Sequence, residues 1–170
     1  MRIELLLGDI TDLDVDCIVN AARPSLMGGG GVDGAIHKKA GNELAEFCKS
    51  LGGCKVGEAK LSSGFNLKSK NIIHTVGPRY LFKKQKEEDD LASCYYQSLL
   101  IAKERKFYTL VFPNISTGAY GYPKDLASKI AFNTTSKFLL ENDFPRKVIF
   151  CCFDTENMEL YLEIFKSQLL

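Results

Sequence analysis

The sequence predicts an α/β domain in which helices cover both faces of a largely parallel or mixed β-sheet. Short apolar runs rich in β-branched residues alternate along the chain with segments whose apolar residues recur at the helical period. This alternation is typical of folds whose connecting helices lie on the faces of the sheet. The chain has 170 residues, of which 45% are hydrophobic, enough for one substantial core without disulfides. We therefore predict a single domain over residues 1–170.

Six apolar runs are candidate strands, and periodic segments between several of them are candidate helices. The strand candidates are residues 3–7, 17–19, 59–61, 72–76, 110–112 and 148–153. The first helix follows a glycine run at 28–31 and is expected to break near Gly41. The predicted apolar helix faces are Ile36, Ala40, Leu44 and Phe47; Leu91, Cys94, Tyr95, Ser98, Leu99 and Ala102; Leu126, Ile130, Thr134 and Phe138; and Met158, Tyr161, Leu162, Phe165 and Leu169. The charged stretch 83–90 is predicted to be a solvated loop leading into a helix.

Composition argues against several classes of function. With 22 basic and 21 acidic residues the formal net charge is +1, so no overall field attracts nucleic acid or an anionic membrane. The six cysteines form no CxxC pair, and His37 and His74 lie far apart, so we expect no metal and no cofactor. The chain enters an apolar run at once, without a cleavable hydrophobic region, and no stretch approaches transmembrane length. We expect a cytoplasmic monomer with reduced thiols.

The four consecutive glycines at 28–31 are the most informative feature of the sequence. Because glycine lacks a Cβ, the run lets backbone N–H groups approach a ligand, and a helix start beyond it favours negative charge. Gly29, Gly31 and Gly34 also form a G-x-G-x-x-G pattern. Eight residues separate that run from the preceding strand, and the acids at the expected distance fall in a helix, which argues against a dinucleotide site. The run predicts a cradle for a phosphate or a ribose, and the acid inside it, Asp33, indicates either a helix cap or chemistry.

A second loop with ligand-binding character follows the fifth strand candidate. Residues 115–123 combine small hydroxyl side chains, two glycines and two tyrosines ahead of a helix. In open α/β sheets ligands bind beyond the carboxyl ends of the strands, where this loop and the glycine run both lie. Two uncharged cradles of backbone N–H groups suit a diphosphate.

Six segments carry a resemblance to a known family. They are GDIT at 8–11, VNAA at 19–22, GGGGVDGAIH at 28–37, GEA at 57–59, HTVGP at 74–78 and ISTGAYGYP at 115–123. In this order and spacing they resemble macrodomains of the MacroD type over nearly the whole chain. The resemblance implies a three-layer α/β/α domain with a six-stranded mixed sheet that binds ADP-ribose in a cleft over the strand ends. It also implies removal of ADP-ribose from acidic side chains and deacetylation of O-acetyl-ADP-ribose, which makes these molecules the expected partners.

The resemblance implies binding roles for residues at matching positions. Asp9, with Ile10 beside it, is similar to the acid that accepts a hydrogen bond from the adenine amino group, although Asp9 is also suited to capping a turn. Phe153 and Asp154 are implied to flank the adenosine, although Phe153 is equally suited to a core position. The remaining implied ligand-binding residues are Gly29, Gly30, Gly31 and Val32 around the distal ribose, and Ser116, Thr117, Gly118, Ala119 and Tyr120 around the diphosphate.

The resemblance also implies catalytic roles. Asp33 occupies the position of the catalytic acid, a general base that activates water toward the ester carbonyl or the anomeric carbon of the distal ribose. The alternative is that Asp33 only caps the helix. Asn20 matches the first asparagine of the family's Asn-Ala-Ala-Asn segment, and His37, one helical turn beyond Asp33, is expected to support the structure or orient the substrate. His74 is expected to be a hydrogen-bonded core or loop-supporting histidine.

Arg23 departs from the family pattern, which has asparagine at this position. Asparagine both donates and accepts hydrogen bonds while neutral, whereas arginine only donates and is permanently charged. An inward Arg23 would pair with Asp33 and lower its pKa, or clamp a phosphate, while an outward Arg23 would leave the site without one polar group.

Two functions follow from these residues, and a third has little support. Asp33 favours a hydrolase acting on ADP-ribosylated acidic side chains or O-acetyl-ADP-ribose. Arg23 favours a non-catalytic module that only binds ADP-ribose. The sequence gives little support to a nucleic-acid-binding function, because its acidic and basic residues are balanced in number and no basic stripe is present.

Overall fold

The computed structural model describes residues 1–82 and 84–169, which form a six-stranded sheet with helices on both faces. The strands are β1 (Ile3–Leu7), β2 (Cys17–Ala21), β3 (Ala59–Ser63), β4 (Asn71–Thr75), β5 (Thr109–Phe112) and β6 (Lys147–Cys152). They lie in the order β1-β6-β5-β2-β4-β3. Every neighbouring pair is parallel except β3 and β4, which are antiparallel. The mixed sheet and the α/β class are therefore as predicted.

Five helices and one short 3-10 turn complete the described part of the chain. They are the turn Ile10–Asp12, α1 (Gly31–Ala40), α2 (Asn42–Ser50), α3 (Gln85–Glu104), α4 (Lys124–Glu141) and α5 (Thr155–Gln168). Buried side chains of α1 and α2 belong to one apolar cluster, and those of α3, α4 and α5 belong to a second. These clusters lie on opposite faces of the sheet, which gives the three layers implied by the resemblance.

Alternation along the strands explains the two clusters. Successive side chains of a strand point to opposite faces, so Cys17 and Val19 join the α3–α5 cluster while Ile18 joins the α1–α2 cluster. All three are fully buried. Because β2 is central in the sheet and covered on both sides, it reads as a continuous apolar run rather than an alternating one.

Three predicted helix faces differ in detail from the structure. In α4 the buried residues include Ala127, Ala131 and Phe132, whereas Leu126 is exposed, so the predicted face is displaced by about one residue. In α2, Cys48 is buried where Phe47 was expected. The buried residues of α5 are Asn157 and Tyr161, whereas Leu162 and Leu169 are exposed. Small and polar residues form much of these buried faces, and hydropathy alone does not select them.

Boundary predictions differ by one or two residues at several elements. The break between α1 and α2 falls at Gly41 as predicted, where a φ of 90° ends one helix and begins the next. Strand β6 ends at Cys152, so Phe153 is not part of it. Residues 85–90 form the first turns of α3 rather than a loop, because charged side chains are tolerated on an exposed helix face, while Lys83 lies outside the described residues.

Among the described residues, no helix is both long and apolar enough to cross a membrane.

Candidate functional site

The carboxyl ends of the parallel strands meet at one edge of the sheet, and the predicted ligand-binding loops leave from this edge. The loop after β2 leads to Arg23 and the glycine run, and the loop after β5 contains Ser116. Because β2 and β5 are hydrogen-bonded neighbours, these two loops are adjacent. The loops after β1 and β6, which carry Asp9 and Phe153, are adjacent for the same reason. The fold therefore arranges the candidate site as a row of loops along one edge.

Asn20 and Asp33 form the buried centre of the site. Asn20 is the fourth residue of β2 and is fully buried, and its Nδ2 donates a hydrogen bond of 2.9 Å to Asp33 Oδ1. Asp33 lies in the first turn of α1 and is 3% exposed. The N-cap of α1 is Gly30, so the interpretation of Asp33 as the helix cap is wrong. Its carboxylate turns toward β2 instead.

Burial raises the pKa of Asp33 above its ordinary value. Removal of the carboxylate from water disfavours its charged form, and this effect is the largest. The hydrogen bond from Asn20, the neighbouring His37 and Arg23, and the Arg23 backbone N–H act in the opposite direction without cancelling the rise. Arg23 therefore lowers the pKa of Asp33 as its position suggested, but burial outweighs it.

His37 lies beside Asp33 on the same face of α1. Its Nε2 is 3.4 Å from Asp33 Oδ1, a contact that is possible because residues four apart on a helix are neighbours on its surface. The ring also packs against the glycine run, because a Cβ placed on Gly28 would lie 3.4 Å from its Cγ. His37 thus contacts both the acid and the loop, an arrangement suited to the supporting or orienting role expected for it.

His74 holds Asn20 from the neighbouring strand. The two residues are paired in register across β2 and β4, and Asn20 Nδ2 lies 3.0 Å from His74 Nδ1. Because an amide NH₂ only donates, His74 Nδ1 accepts and the ring proton is on Nε2, which lies 2.8 Å from Ser62 Oγ. Burial lowers the pKa of His74 to about 3, so the ring is neutral at physiological pH. His74 is confirmed as a hydrogen-bonded buried histidine.

The side chain of Arg23 lies against the glycine run. A Cβ placed on Gly29 would be 2.6 Å from Arg23 Nε, 3.1 Å from Arg23 Cδ and 3.1 Å from Asp33 Oδ2. Only a residue without a Cβ allows these two side chains to approach the loop so closely. Arg23 therefore points toward the site rather than away from it, while the residue as a whole stays exposed.

Backbone N–H groups of the glycine run are available to a ligand. In the described chain, none from Gly28 to Asp33 donates to a protein acceptor, and the first bond of the run joins Gly34 N to Gly30 O at 3.3 Å. Glycine is required at position 34 because the Gly29 carbonyl approaches it so closely that a Cβ there would collide with the carbonyl oxygen. The loop thus forms an open row of donors leading into the N-terminus of α1.

The loop after β5 presents a second row of donors. Within residues 1–82 and 84–169, no backbone N–H from Ser116 to Tyr120 donates to the protein, whereas the Ser116 carbonyl accepts from Tyr122 N at 2.9 Å. Ser116 has a φ of 66°, a left-handed conformation that is uncommon outside glycine. Such a reversal in a loop turns successive N–H groups toward one point, an arrangement that binds anions. Thr117, Gly118 and Ala119 complete the row.

Tyr120 at the end of this loop is held by the segment after β4. The Tyr120 carbonyl accepts from Tyr80 N at 2.9 Å, and the Arg79 guanidinium lies over the Tyr120 ring, 4.9 Å from its centroid. Arg79 is not among the residues that the sequence predicts for the site. Its place beside Tyr120 brings a positive charge close to the predicted diphosphate loop.

Asp9 and Ile10 have structural roles at the opposite end of the row. Asp9 caps the 3-10 turn, because its Oδ1 accepts from Thr11 N at 2.9 Å and from Thr11 Oγ1 at 2.7 Å. These bonds lower the pKa of Asp9. Ile10 is 5% exposed and belongs to the core. The turn-capping interpretation of Asp9 is thus confirmed, and its contact with adenine stays a prediction.

Phe153 and Asp154 stand directly after β6. Phe153 is 84% exposed, so the interpretation of Phe153 as a core residue is wrong. Asp154 is the N-cap of α5 and accepts from Asn157 N at 2.8 Å, which lowers the pKa of its carboxyl group. An exposed ring beside the loop of Asp9 is free to stack on a base, which remains a prediction.

Buried polar atoms without partners are concentrated along this edge. Four of the buried side-chain atoms that form no hydrogen bond in the described part of the chain lie here: Asn20 Oδ1, Asp33 Oδ2, Ser116 Oγ, and His37 Nε2, which is 3.4 Å from Asp33 Oδ1. Buried polar groups in folded proteins are nearly always hydrogen-bonded, so a cluster of exceptions indicates a place where another molecule supplies the partners.

Comparison with known proteins identifies the family. The sequence model of the Macro domain matches residues 19–131. The chain belongs to the macro domain family. An O-acetyl-ADP-ribose deacetylase of Enterobacter sp. is 48% identical over 164 residues, covering 94% of this chain and 91% of the relative. An ADP-ribose glycohydrolase of Xenopus laevis is 46% identical over 172 residues, covering 99% of this chain and 40% of the relative.

A solved macrodomain shares the fold closely. A mutant macrodomain of Oceanobacillus iheyensis, solved with ADPR, superposes with a TM-score of 0.94 at 42% identity, covering 98% of this chain and 93% of that chain. The MacroD-type resemblance and the six-stranded mixed sheet inferred from sequence are thereby confirmed.

Two contacts in this macrodomain were missed by sequence reasoning. The bond between His74 and Ser62 depends on the antiparallel pairing of β3 with β4, and the contact between Arg79 and Tyr120 joins two separate loops. The HTVGP segment marked His74 as part of a motif, but its partner is fixed only by strand register.

Proposed function

We propose that this macrodomain is an ADP-ribose-binding hydrolase that removes ADP-ribose from acidic side chains, deacetylates O-acetyl-ADP-ribose, or does both. The observation that carries this proposal is the state of Asp33. Its carboxylate is buried, Oδ1 is held by Asn20, and Oδ2 has no partner among the described residues. A carboxylate with one anchored and one unpaired oxygen is suited to orient a water molecule and accept its proton.

Binding of the substrate would use both rows of backbone donors. The N–H groups of Ser116 to Tyr120 would surround the diphosphate, and Gly29, Gly30, Gly31 and Val32 would enclose the distal ribose. Fixed N–H groups bind a diphosphate with defined geometry and need no cluster of basic side chains. The adenosine would lie between Asp9 and the exposed ring of Phe153. The reactive end of ADP-ribose then lies beside Asp33.

In the chemical step, Asp33 Oδ2 would take a proton from water as the water attacks. Attack at the anomeric carbon breaks the bond between that carbon and the ester oxygen, and attack at the carbonyl breaks the acyl–oxygen bond. Either route yields ADP-ribose and an acid. Burial raises the pKa of Asp33, which makes its carboxylate a stronger base than that of an ordinary aspartate while leaving it ionised above the raised pKa. General base catalysis of this kind contributes roughly 10²- to 10⁴-fold.

The names of relatives support this assignment. The Enterobacter relative is named as an O-acetyl-ADP-ribose deacetylase, and the Xenopus relative as an ADP-ribose glycohydrolase. Both are similar to this chain over at least 94% of its length.

The direct test combines calorimetry with a single-turnover assay on the same preparation. Titration with ADP-ribose, NAD and AMP should give tight binding for ADP-ribose alone. A protein carrying ADP-ribose on glutamate should then release free ADP-ribose, and Asp33→Ala should abolish release while remaining folded. Asp125→Ala, which removes an exposed aspartate in the first turn of α4, is the matched control. Full activity of Asp33→Ala would exclude Asp33 as the base.

A second candidate function is an ADP-ribose-binding module without turnover. The observation that favours it is the side chain of Arg23 against Gly29, at the position where the MacroD type carries an asparagine. An arginine cannot accept a hydrogen bond from a water or a ribose hydroxyl. A large gain in turnover on Arg23→Asn would favour the binding module, and rapid turnover by the wild type would exclude it.

A further inference from the structure

Arg23 places a cation at the mouth of the site that forms no salt bridge with the described residues. Its Nε and Cδ lie against Gly29, which fixes the stem of the side chain. Throughout residues 1–82 and 84–169, no carboxylate lies within 4.0 Å of its guanidinium nitrogens and no hydrogen bond from them is formed. The charge is thus left without an ion-pair partner in the described part of the chain.

Asp33 interacts with this charge but does not form an ion pair with it. Asp33 Oδ1 is occupied by Asn20, and Oδ2 lies on the same side of Gly29 as Arg23 but outside ion-pair distance. Asp33 is almost entirely buried, whereas Arg23 is exposed. A group bound beside Asp33 Oδ2 would therefore meet the guanidinium on its outer side.

We infer that Arg23 forms a carboxylate subsite, which receives the acyl oxygens of the substrate ester and the acid released from it. The planar guanidinium has five donors arranged to bind a carboxylate through two parallel hydrogen bonds. Nε and Cδ lie against Gly29, and the two terminal nitrogens carry the four other N–H donors. The inference rests on the proposed hydrolase function, because it names the group that lies next to the reacting bond.

The charge that develops during hydrolysis matches this subsite. When water attacks the anomeric carbon, a new carbon–oxygen bond forms and the bond to the ester oxygen breaks. The leaving carboxylate takes the bonding electron pair, and the water proton passes to Asp33. When water attacks the carbonyl instead, negative charge develops on the same acyl oxygen atoms. A cation beside those oxygens stabilises either transition state.

The subsite also predicts which linkages are cleaved. An ester to a carboxylic acid places two oxygens where Arg23 can donate to both, and the acid departs as an anion. An ADP-ribosyl serine offers a single ether oxygen and no carboxylate. An ADP-ribosyl arginine presents a guanidine group that Arg23 repels when it is protonated. Arg23 therefore adds a contact that acyl esters can make and these two linkages cannot.

The binding test uses acetate as the probe and the whole chain saturated with ADP-ribose. Acetate should bind the wild type saturably, and Arg23→Asn should weaken that binding about tenfold. Arg23→Lys keeps the charge but loses the two-pronged geometry, so its affinity should lie between the two. Added sodium chloride should weaken acetate binding to the wild type, because an exposed charge is screened. Absence of saturable acetate binding to the wild type would overturn the subsite.

A control variant and a kinetic measurement distinguish failure of the Arg23 subsite from failure of the proposed hydrolase function. Arg105→Asn removes another exposed arginine at the C-terminal end of α3, which leads into the opposite edge of the sheet, and should leave acetate binding unchanged. Arg23→Asn should reduce the preference for an acyl ester over a serine-linked substrate about tenfold. If ADP-ribose binds and the ester is cleaved, but Arg23→Asn alters neither acetate affinity nor preference, the subsite is wrong and the function stands. If the wild type does not bind ADP-ribose, the proposed function itself fails.

Discussion

Asn20 and His74 lie opposite each other in β2 and β4, and the 3.0 Å contact between Asn20 Nδ2 and His74 Nδ1 orients the Asn20 amide. The same NH₂ group donates to Asp33, which leaves Asn20 Oδ1 buried and without a partner in the described chain. The neutral ring of His74 thereby positions the residue that holds the catalytic candidate.

The first prediction concerns stability against pH. Because the pKa of His74 is lowered to about 3 in the folded protein, the unfolded chain binds more protons between pH 6.5 and 3. The free energy of unfolding should therefore fall as pH decreases through this range, by at most about 1.4 kcal/mol per pH unit from this residue. Glutamine does not titrate, so the free energy of unfolding of His74→Gln should fall less steeply with decreasing pH, although this variant is less stable at neutral pH.

Urea unfolding at a series of pH values measures this effect as the difference between the two proteins. Asp33 titrates in both, and its raised pKa acts with the opposite sign in the lower part of the range, so only the difference reports on His74. Parallel pH profiles for wild type and His74→Gln would show that His74 does not titrate on unfolding.

The second prediction concerns the pH dependence of turnover. A general base must be ionised, so kcat/KM should rise with pH through the raised pKa of Asp33 and level off above it. Arg23 is one of the groups that lower this pKa, and Arg23→Asn should therefore move the rise to higher pH. Asp33→Asn should abolish the rise of kcat/KM with pH and lower the rate by roughly 10²- to 10⁴-fold. Steady-state rates across pH check this, and an unshifted profile in Arg23→Asn would mean that Arg23 and Asp33 do not interact.

The third prediction concerns the loop after β5. A Cβ on Gly77 would collide with the side chains of Ser116 and Ile115, so Gly77→Ala should displace the row of N–H groups. We expect affinity for ADP-ribose to fall about tenfold or more while the fold persists. Gly8→Ala is the control, because its new Cβ would meet its nearest atom, Leu6 Cγ, only at an ordinary 3.9 Å. Calorimetry and circular dichroism on both variants measure the effect; equal affinities would place the diphosphate elsewhere.

The fourth prediction concerns the exposed ring of Phe153. Stacking of a base on an aromatic ring contributes about 1–3 kcal/mol, so Phe153→Ala should weaken ADP-ribose binding about tenfold. Since the ring is 84% exposed, the free energy of unfolding should hardly change. Leu140→Ala removes a similarly exposed side chain from α4 and should leave both quantities unaltered. Loss of stability without loss of affinity in Phe153→Ala would give the ring a packing role instead.

The sequence was sufficient to predict the succession of strands and helices along the chain and the row of loops, because apolar periodicity and turn residues act locally. The predicted bounds of β1 and β5 are correct to within one residue, and the break between α1 and α2 was predicted from Gly41 alone. The face of α4 was displaced because its buried stripe includes Ala127 and Thr135, which hydropathy ranks low.

The parts of the site that sequence could not supply depend on contacts between distant residues. For Asp33 the sequence left a helix cap as the alternative to a catalytic role, because aspartate favours cap positions, yet Gly30 caps α1 and the acid turns to Asn20. Arg23 was ambiguous because a charged side chain reveals nothing about its direction. Only the close approach to Gly29 shows where it points.

The left-handed backbone of Ser116 has a consequence for selectivity among nucleotides. A non-glycine residue in this conformation costs on the order of 1–3 kcal/mol, and folding has already met that cost before any ligand arrives. The donor row is thus preorganised, and a diphosphate gains its full interaction without reshaping the loop. A nucleoside or a monophosphate that does not reach residues 116–120 receives none of this benefit. The strain at one serine therefore contributes to discrimination between ADP-ribose and its smaller fragments.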